Sequence, residues 1–231
     1  NGPGVRTTVF FRGCNLRCAW CHNPECIPFK TVLRYNNSVC IGCGLCAAAC
    51  PNGCHIIDEN GHTVDRSSCT GCGNCVSRCP AGALELNGRG YTEDELFERV
   101  TADAEFFQSS GGGVTFSGGE PVLQNIFLTG ILKRCCEAGI HTAVDTAGNV
   151  LWEMFENILP YTSLFLYDVK FVTPQKQLEA TGVDNEKILK NLQELCKRGA
   201  HIWVRVPLIP DFHDLDEIKK IKLPELDWEG M

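Results

Sequence analysis

The sequence predicts an α/β protein with a parallel sheet, open or closed into a barrel, that is covered by helices and interrupted by a small insert. After residue 88, continuous apolar segments with strand character alternate with helical segments, which is typical of parallel sheets. Between residues 35 and 87 the composition changes to short apolar pieces among many cysteines, glycines and asparagines. We therefore expect three segments: 1–34 and 88–231 form one α/β domain, and 35–87 form the insert.

The individual elements follow from local signals along the chain. VRTTVFFR at residues 5–12 is β-branched and aromatic and predicts a strand that ends just before Cys14. Thr92 followed by Glu95 is a capping-box pattern, which predicts a helix from there to about Ser109. Similar signals predict further strands at 114–117, 141–145, 163–170 and 201–207, and helices at about 124–138, 151–158 and 184–198.

Composition excludes several classes of protein. The 231 residues are long enough for one large domain, or for one domain that carries a small insert. The net charge of −7, without a basic patch, argues against nucleic-acid binding. No apolar run approaches about 18 residues and no secretory signal is visible, so we expect no membrane span. We expect a cytoplasmic monomer, and because the first residue is Asn1 rather than Met, a chain trimmed at its start.

Cysteine is the unusual component, because 16 are present and most of them lie between Cys14 and Cys79. Such density indicates either a disulfide scaffold or metal and cluster ligation. Disulfide scaffolds are usually short and secreted, whereas these cysteines fall into regular, closely spaced sets. Reduced thiols that bind iron are therefore the better interpretation.

An internal repeat accounts for eight of these cysteines. CIGCGLCAAACP at 40–51 and CTGCGNCVSRCP at 69–80 share every cysteine, two glycines and the final proline. Each half is C-x2-C-x2-C-x3-C-P, the bacterial ferredoxin run for [4Fe–4S] clusters, in which the fourth cysteine ligates the other cluster. Zinc knuckles are the alternative, but they use other spacings and often histidine. The expected ligand sets are Cys40, Cys43, Cys46 and Cys79 for one cluster, and Cys69, Cys72, Cys75 and Cys50 for the second.

Both of these clusters would be fully ligated, so we expect them to carry electrons and not to bind a substrate. Cys54 is not needed as a ligand; packing is its expected role and a spare ligand the alternative. Cys26 is similarly left over. Three further cysteines lie on predicted helices and are expected to be core thiols: Cys135, Cys136 and Cys196.

A third set of cysteines has a different design. GCNLRCAWC at 13–21 groups Cys14, Cys18 and Cys21 without a fourth. Three thiolates leave one coordination position open, and chemistry can take place there. A fourth cysteine supplied from elsewhere is the alternative, but the ferredoxin runs already use their own ligands.

C-x3-C-x2-C with Trp20 before the last cysteine resembles the signature of radical S-adenosylmethionine (SAM) enzymes. NGPGVRTTVFFRGCNLRCAWCHNPE, VTFSGGEP, VDTAG, YDVK and WVRVPLIP further resemble the activating enzymes of glycyl radical enzymes, over essentially the whole chain. This resemblance implies a partial (β/α)6-type parallel barrel of radical SAM type with an inserted bacterial ferredoxin-like α+β domain. The chain departs from the family at Asn1, where Asp is usual, and family members begin earlier and continue further.

The resemblance also implies roles for individual residues. The three thiolates hold a [4Fe–4S] cluster, the third in the chain, whose open iron binds the amino and carboxylate groups of SAM. The motif SGGEP places Gly119 against the SAM amino group; a plain turn is the alternative. The residues expected to contact the cofactor or an accompanying Na⁺ or K⁺ are Trp20, Cys21, His22, Ser117, Gly118, Gly119, Glu120, Asp145, Thr146, Asp168, Lys170 and Arg205.

Several of these roles have alternatives. Asp145, Thr146 and Asp168 resemble a monovalent-cation site beside the SAM carboxylate, although an acidic residue after a strand is often a helix cap. Lys170 is expected to be catalytic, with the three cysteines, as a partner for the carboxylate or for the incoming peptide. Arg205 is suited to a bidentate carboxylate contact or to a surface ion pair. His22 is equally consistent with a hydrogen bond that supports a cluster ligand.

The implied reaction is reductive cleavage of SAM to methionine and a 5′-deoxyadenosyl radical, which removes a hydrogen from one glycine of a partner glycyl radical enzyme. A flavodoxin or ferredoxin would donate the electron, in an anaerobic cytoplasm. Two other hypotheses are a two-cluster electron carrier and a radical SAM enzyme that acts on a small molecule. The three-cysteine motif and SGGEP oppose the first, and the NGPGVRT, DTAG and YDVK segments oppose the second by resemblance.

Overall fold

A computed structural model of the chain describes residues 2–210 and 212. The chain divides into two compact units. Pro28–Gly90 forms one of them, and the described residues before and after this segment form the other. The cysteine-rich segment expected at 35–87 lies within Pro28–Gly90; its assignment as a ferredoxin-like domain stays a prediction.

The described residues form nine strands and eight α-helices. The strands are β1 Arg6–Phe11, β2 Val32–Tyr35, β3 His55–Asp58, β4 Gly61–Val64, β5 Leu84–Asn87, β6 Gly113–Gly118, β7 His141–Thr146, β8 Leu164–Asp168 and β9 Ile202–Arg205. The helices are α1 Leu45–Ala49, α2 Asn74–Ser77, α3 Glu93–Thr101, α4 Ala104–Ser110, α5 Asn125–Glu137, α6 Trp152–Ile158, α7 Pro174–Thr181 and α8 Glu186–Lys197. Among them no helix combines the length and the apolar character that crossing a bilayer requires.

The larger unit is built on one five-stranded sheet in the order β1-β6-β7-β8-β9, and every neighbouring pair is parallel. Neighbours in the sheet after β1 are consecutive along this unit, with helices in the connections, as in a partial (β/α) barrel. The predicted α/β fold with a parallel sheet is confirmed. Five strands of the predicted six lie among the described residues.

The core of this unit lies between the central strands and the helices. Strand β8 is buried along most of its length because its sequence has no polar side chain alternating with the apolar ones. The Tyr167 hydroxyl on this strand donates a hydrogen bond to the Ile188 carbonyl at 2.7 Å. Phe116 and Phe155 are completely buried in the same hydrophobic core. Strand β1 lies at the edge and is mostly half-buried. The polar residues at the ends of these strands are therefore attached to the buried centre of the sheet.

Two details differ from the expected elements. The helix expected from Thr92 to about Ser109 begins with the predicted capping box but breaks after Thr101, and a second helix follows Asp103. The Asp103 carboxylate accepts a hydrogen bond from Thr7 of β1, which holds the break. Helix α7 was not expected, although Pro174 in its first turn and Gly182 after its end are helix boundary signals.

The smaller unit, Pro28–Gly90, retains the internal duplication as structure. It contains two antiparallel pairs, β2 with β5 and β3 with β4, and two short helices. Each helix follows a glycine in the left-handed region, Gly44 at φ 77° and Gly73 at φ 80°. The two halves of the sequence repeat thus form the same turn and helix.

Candidate active site

The three-cysteine loop follows β1 and is held by main-chain hydrogen bonds. The Gly13 amide donates to the Cys26 carbonyl at 2.7 Å, and the Cys14 amide donates to the Ile27 carbonyl at 2.9 Å. These bonds place the first cysteine directly beyond the carboxyl end of β1. Cys26, left over in the sequence, is buried in this support.

Helix α7 fixes the middle of the same loop. The Arg17 amide donates to the Thr181 carbonyl at 2.7 Å, and the Ala19 amide donates to the Ala180 carbonyl at 3.0 Å. Carbonyls at a helix C-terminus lack partners within the helix, so they are available for such bonds. The unexpected helix therefore positions the residues on both sides of Cys18.

Glycines of the SGGEP segment pack against this loop. A Cβ atom on Gly119 would lie 2.3 Å from the Gly13 carbonyl oxygen, and one on Gly118, where φ is +112°, would lie 2.3 Å from the Phe11 carbonyl oxygen. Both distances are impossible for a side chain. These glycines are required because the chain at the end of β6 packs against the backbone of β1 at Phe11 and of the cysteine loop at Gly13, contacts that sequence alone did not indicate.

A cavity of about 430 Å³ lies beyond the carboxyl ends of the parallel strands. All but two of the residues expected at the SAM site line it: Cys14, Cys18, Trp20, Cys21, His22, Ser117, Gly118, Gly119, Asp145, Asp168, Lys170 and Arg205. Because strand ends of a parallel sheet meet at one edge, residues more than 190 positions apart, such as Cys14 and Arg205, line one cavity.

Charged groups cross-link the strand ends in this cavity. Arg205 Nε donates to Asp168 at 2.8 Å, and the same guanidinium binds Asp145 of the neighbouring strand. Asp145 also accepts a 2.9 Å hydrogen bond from the Ser117 hydroxyl. Burial raises the pKa of Asp145, and Arg205 opposes that rise by favouring the carboxylate. Arg205 therefore joins β7, β8 and β9 through ionised side chains.

Lys170 completes the charge balance beside the cysteines. Its ammonium lies 3.0 Å from an Asp168 carboxylate oxygen. Burial by itself would lower the pKa of Lys170, but Asp168 and Cys18 outweigh burial and raise it. In turn, burial raises the pKa of the Cys18 thiol and Lys170 opposes that rise. A fixed ammonium near Cys18 favours the thiolate that binding to iron requires.

Two of the expected contact residues, Glu120 and Thr146, do not line the cavity. Both are buried, and the Glu120 carboxylate accepts hydrogen bonds from the Thr146 hydroxyl at 2.8 Å and from the Ala147 amide at 2.9 Å. Burial raises the pKa of Glu120 to about 7, against the effect of these bonds. Glu120 and Thr146 therefore contact each other behind the cavity wall.

Other lining residues had been given no role from the sequence. Pro207 and Ile209 belong to the WVRVPLIP segment, so their motif was noticed but not their position. Ala147 follows Thr146 in the DTAG segment and reaches the cavity where Thr146 does not. The remaining lining residues are Leu16, Asn23 and Ile27.

Comparison with known proteins identifies the family. A model of the 4Fe-4S single cluster domain family matches residues 1–189. The trans-4-hydroxy-L-proline dehydratase activating enzyme of Clostridioides difficile is 42% identical over 96% of this chain and 74% of its own length. The choline trimethylamine-lyase activating enzyme of Oleidesulfovibrio alaskensis is 40% identical over 94% of this chain and 71% of its own. The chain belongs to the glycyl radical enzyme activating enzymes. The resemblance stated from the motifs is confirmed.

A solved structure supports the fold of this activating enzyme. Streptococcus suis SuiB bound to the precursor peptide SuiA aligns over 94% of this chain and 35% of its own, with a TM-score of 0.53 and 11% sequence identity. Identity at this level supports the fold alone.

The residues of the cavity fit the cofactors of a radical SAM activating enzyme. Three cysteines line one wall, and the other residues named above leave about 430 Å³ open beyond them. The lining also offers two carboxylates and two cations to a zwitterionic ligand. No fourth cysteine is among the residues that line this cavity, so three sulfurs are the thiol ligands available there.

The smaller unit contains two further cavities that divide the cysteines of the repeat. One is lined by Cys40, Cys43, Cys46 and Cys79, and the other by Cys50, Cys69, Cys72 and Cys75. Each set takes three cysteines from one half of the repeat and the fourth from the other half. This is the same crosswise grouping that the ferredoxin spacing predicts.

The cysteines that belong to none of these sets differ in their surroundings. Cys54 lines the second of the two cavities and is 1% exposed. Its amide donates to the Cys50 sulfur at 3.3 Å, so its main chain supports a predicted ligand. Cys135 is buried in the core, whereas Cys136 is exposed, which differs from the expected core thiol.

Proposed function

We propose that this activating enzyme cleaves SAM reductively and uses the product radical to oxidise one glycine in a loop of a partner glycyl radical enzyme. The observation that carries the proposal is the cavity in which Cys14, Cys18 and Cys21 meet the ends of four further parallel strands. When bound, the cluster and SAM together supply an electron transfer that breaks a carbon–sulfur bond and yields an adenosyl radical able to abstract hydrogen. The protein binds, orients and shields them.

Different residues of the cavity have different roles in this reaction. Cys14, Cys18 and Cys21 hold the cluster and leave one iron for SAM. Lys170 and Arg205 are the cations of the cavity and orient the carboxylate end of SAM. The backbone at Gly119 approaches the amino group, and Trp20 and His22 contact the remainder. Two apolar lining residues, Pro207 and Ile209, exclude water from the site.

A monovalent cation at Asp145 and Asp168 is also part of the proposal. Each carboxylate already accepts hydrogen bonds from Arg205, and Thr146 donates to Glu120 behind the wall. The cation would therefore share these carboxylates with the guanidinium. Support for Na⁺ or K⁺ comes from the paired carboxylates and not from Thr146.

We also propose that Pro28–Gly90 holds two [4Fe–4S] clusters, which makes three in the chain. The two cysteine sets that line separate cavities support this. The clusters would receive electrons from a flavodoxin or ferredoxin, with no nucleic acid or membrane as a partner. We further propose that the protein is a monomer. An anaerobic cytoplasm fits the reaction, because the clusters and the radical are sensitive to oxygen.

The proposal is tested by anaerobic reconstitution followed by incubation with SAM and dithionite. We expect 5′-deoxyadenosine from the wild type and none from Cys18→Ala. Cys136→Ala, which changes an exposed thiol on α5, is the matched control and should retain activity. Absence of product from a wild type with intact clusters and bound SAM would reject radical chemistry and favour the electron carrier.

A further inference from the structure

A pair of histidines in the smaller unit contacts both predicted cluster cavities. His55 lies on β3 and His62 on β4, and His55 Nδ1 lies 2.9 Å from His62 Nε2. His62 lines the cavity of the first cysteine set, and His55 lines the cavity of the second. The hydrogen-bonded rings therefore connect the walls of the two cavities.

His62 also lies directly against two predicted cluster ligands. Its Nδ1 is 3.6 Å from Cys40 Sγ, and its Nε2 is 3.8 Å from Cys46 Sγ. The Tyr35 ring packs on the imidazole with centroids 4.3 Å apart, which limits rotation of the ring. His62 is thus held with Nδ1 towards the Cys40 sulfur and with Nε2 towards both His55 and the Cys46 sulfur.

Comparison of the two halves of the unit shows that these histidines break its internal symmetry. His55 is five residues after Cys50, and Leu84 is five residues after Cys79. His62 pairs across the strands with Ile57, while Leu33 pairs with the equivalent residue, Leu86. Leucine therefore occupies both equivalent positions in the other half. The first cavity has His62 where the second has Leu33, and the second has His55 where the first has Leu84. Of the two histidines, His62 is the one that lies against cysteine sulfurs.

One tautomer of His62 supplies a donor to the Cys40 sulfur. A neutral imidazole has one N–H and one lone pair. A cysteine sulfur that binds iron is an acceptor, so Nδ1 of His62 must carry the proton if it is to bond Cys40. His62 Nε2 then accepts from His55 Nδ1. His55 Nε2 is left without an N–H, and it is buried without a hydrogen-bond partner among the described residues.

We propose that His62, oriented by His55, donates a hydrogen bond to the Cys40 sulfur and raises the reduction potential of the first cluster above that of the second. Hydrogen bonds to cluster sulfurs stabilise the more negative, reduced state, so they raise the potential. The inference rests on the two clusters proposed for this unit. It assigns His62 as a positioning and tuning residue and makes the duplicated clusters inequivalent.

The test compares midpoint potentials of the reconstituted full-length chain by anaerobic redox titration, followed by electron paramagnetic resonance. The Cys14→Ala/Cys18→Ala/Cys21→Ala background removes the signal of the third cluster. The variant His62→Leu introduces the residue found at the equivalent position, Leu33. His62→Asn keeps a donor near the position of Nδ1, and Thr63→Val on the exposed side of β4 is the control.

We expect His62→Leu to make reduction of one cluster about tenfold less favourable, which is about 59 mV for a one-electron couple. The other cluster should not change, His62→Asn should restore part of the loss, and Thr63→Val should match the parent. Unchanged potentials with full iron and sulfide would overturn the proposal. Loss of one cluster from His62→Leu would also overturn it, because His62 would then be a ligand.

Iron and sulfide analysis separates this inference from the proposed function. If the parent binds no clusters in Pro28–Gly90, the inference fails together with the two-cluster assignment. The chain with its Cys14, Cys18 and Cys21 intact would still be able to form 5′-deoxyadenosine with dithionite, so the proposal of SAM cleavage would stand.

Discussion

The Glu120 carboxylate accepts a 2.8 Å hydrogen bond from the Thr146 hydroxyl, and both side chains are buried behind the candidate active site. The same carboxylate accepts hydrogen bonds from the amides of Ala147 and Val122. It thereby joins the segment after β6 to the DTAG segment after β7. The bonds fix two adjacent parts of the cavity wall, Gly119 and Ala147, relative to each other.

This contact predicts a specific pH dependence. Since burial raises the pKa of Glu120 to about 7, the folded protein retains a proton that the unfolded chain releases near its ordinary pKa. Stability should therefore fall as pH rises towards about 7 and level off above it. Glu120→Gln lacks this titrating group and does not lose that stability. The free energy of unfolding of Glu120→Gln minus that of wild type should therefore increase by about 2 kcal/mol between about pH 5.5 and about pH 7.5. Denaturant titrations measure the difference, and one that does not vary with pH would contradict the assignment.

Gly119 should not tolerate a side chain. A Cβ there would lie 2.3 Å from the Gly13 carbonyl oxygen, so Gly119→Ala must displace the cysteine loop. We expect a loss of about 1 to 3 kcal/mol in stability and a lower iron content at the three-cysteine site. Gly90→Ala, at a position with open space around it, is the control. Iron analysis and denaturant unfolding measure both variants, and equal behaviour would show that the loop has room to move.

Arg205 should support SAM binding through charge. Without its guanidinium, Asp145 and Asp168 outnumber Lys170, and the cavity becomes net negative towards the SAM carboxylate. We expect Arg205→Leu to raise the KM for SAM about tenfold or more, as loss of a charge-assisted bond implies. The control is Arg198→Leu, which removes ion pairs that Arg198 makes with Glu156 and Glu194 on the surface. The KM for SAM is obtained from the rate of 5′-deoxyadenosine formation at a series of SAM concentrations. An unchanged KM in Arg205→Leu argues for a purely structural ion pair.

Cys54 should be dispensable for iron binding although it lines a cluster cavity. Burial and a hydrogen bond of its thiol to the Cys50 sulfur raise the pKa of Cys54 to about 11, and its amide also donates to Cys50, so Cys54 supports a predicted ligand as a neutral thiol. We expect Cys54→Ala to retain the full iron content, whereas Cys50→Ala should lose a cluster. Iron and acid-labile sulfide determinations on both variants check this. Equal losses would make Cys54 a ligand.

Asn191 should stabilise the segment after β7. Its buried amide donates to the Gly148 and Val150 carbonyls, each at 2.9 Å. Asn191→Leu keeps the branched shape of the side chain and removes both donated hydrogen bonds, so we expect a loss of about 2 kcal/mol or more in the free energy of unfolding. The amide of Asn157 donates to Asn125 at an exposed position on α6, where water can replace it, so Asn157→Leu should change the free energy of unfolding by less than about 0.5 kcal/mol. Similar unfolding midpoints for the two variants would refute this role for Asn191.

Much of the fold and of the candidate site could be predicted from local patterns. The strands ending at Phe11, Gly118, Thr146, Asp168 and Arg205 were located to within a few residues, because buried parallel strands are continuous apolar runs. Helix α7 was missed because TPQKQLEATG has few apolar residues, and its role depends on carbonyls that bond Arg17 and Ala19. A pattern of side chains carries no information about main-chain partners so distant in the chain.

The sequence by itself determined the chemistry that the chain can carry. Cysteine spacing selects the kind of ligand set, since three of the thiols that share a cluster are supplied by one tight turn. The alternation of apolar and helical segments determined which polar residues would follow strands. Both properties are local along the chain, and both could be recognised without coordinates.

Only the tertiary structure decided which way individual side chains turn. Glu120 follows Gly119 directly, yet one lies behind the cavity wall and the other forms it. The ion pairs of Arg205 with Asp145 and Asp168, and the bond between His55 and His62, depend on the register of neighbouring strands. Their partners are chosen by packing in three dimensions, because hydrogen bonds and ion pairs act over a few ångströms and not along the sequence.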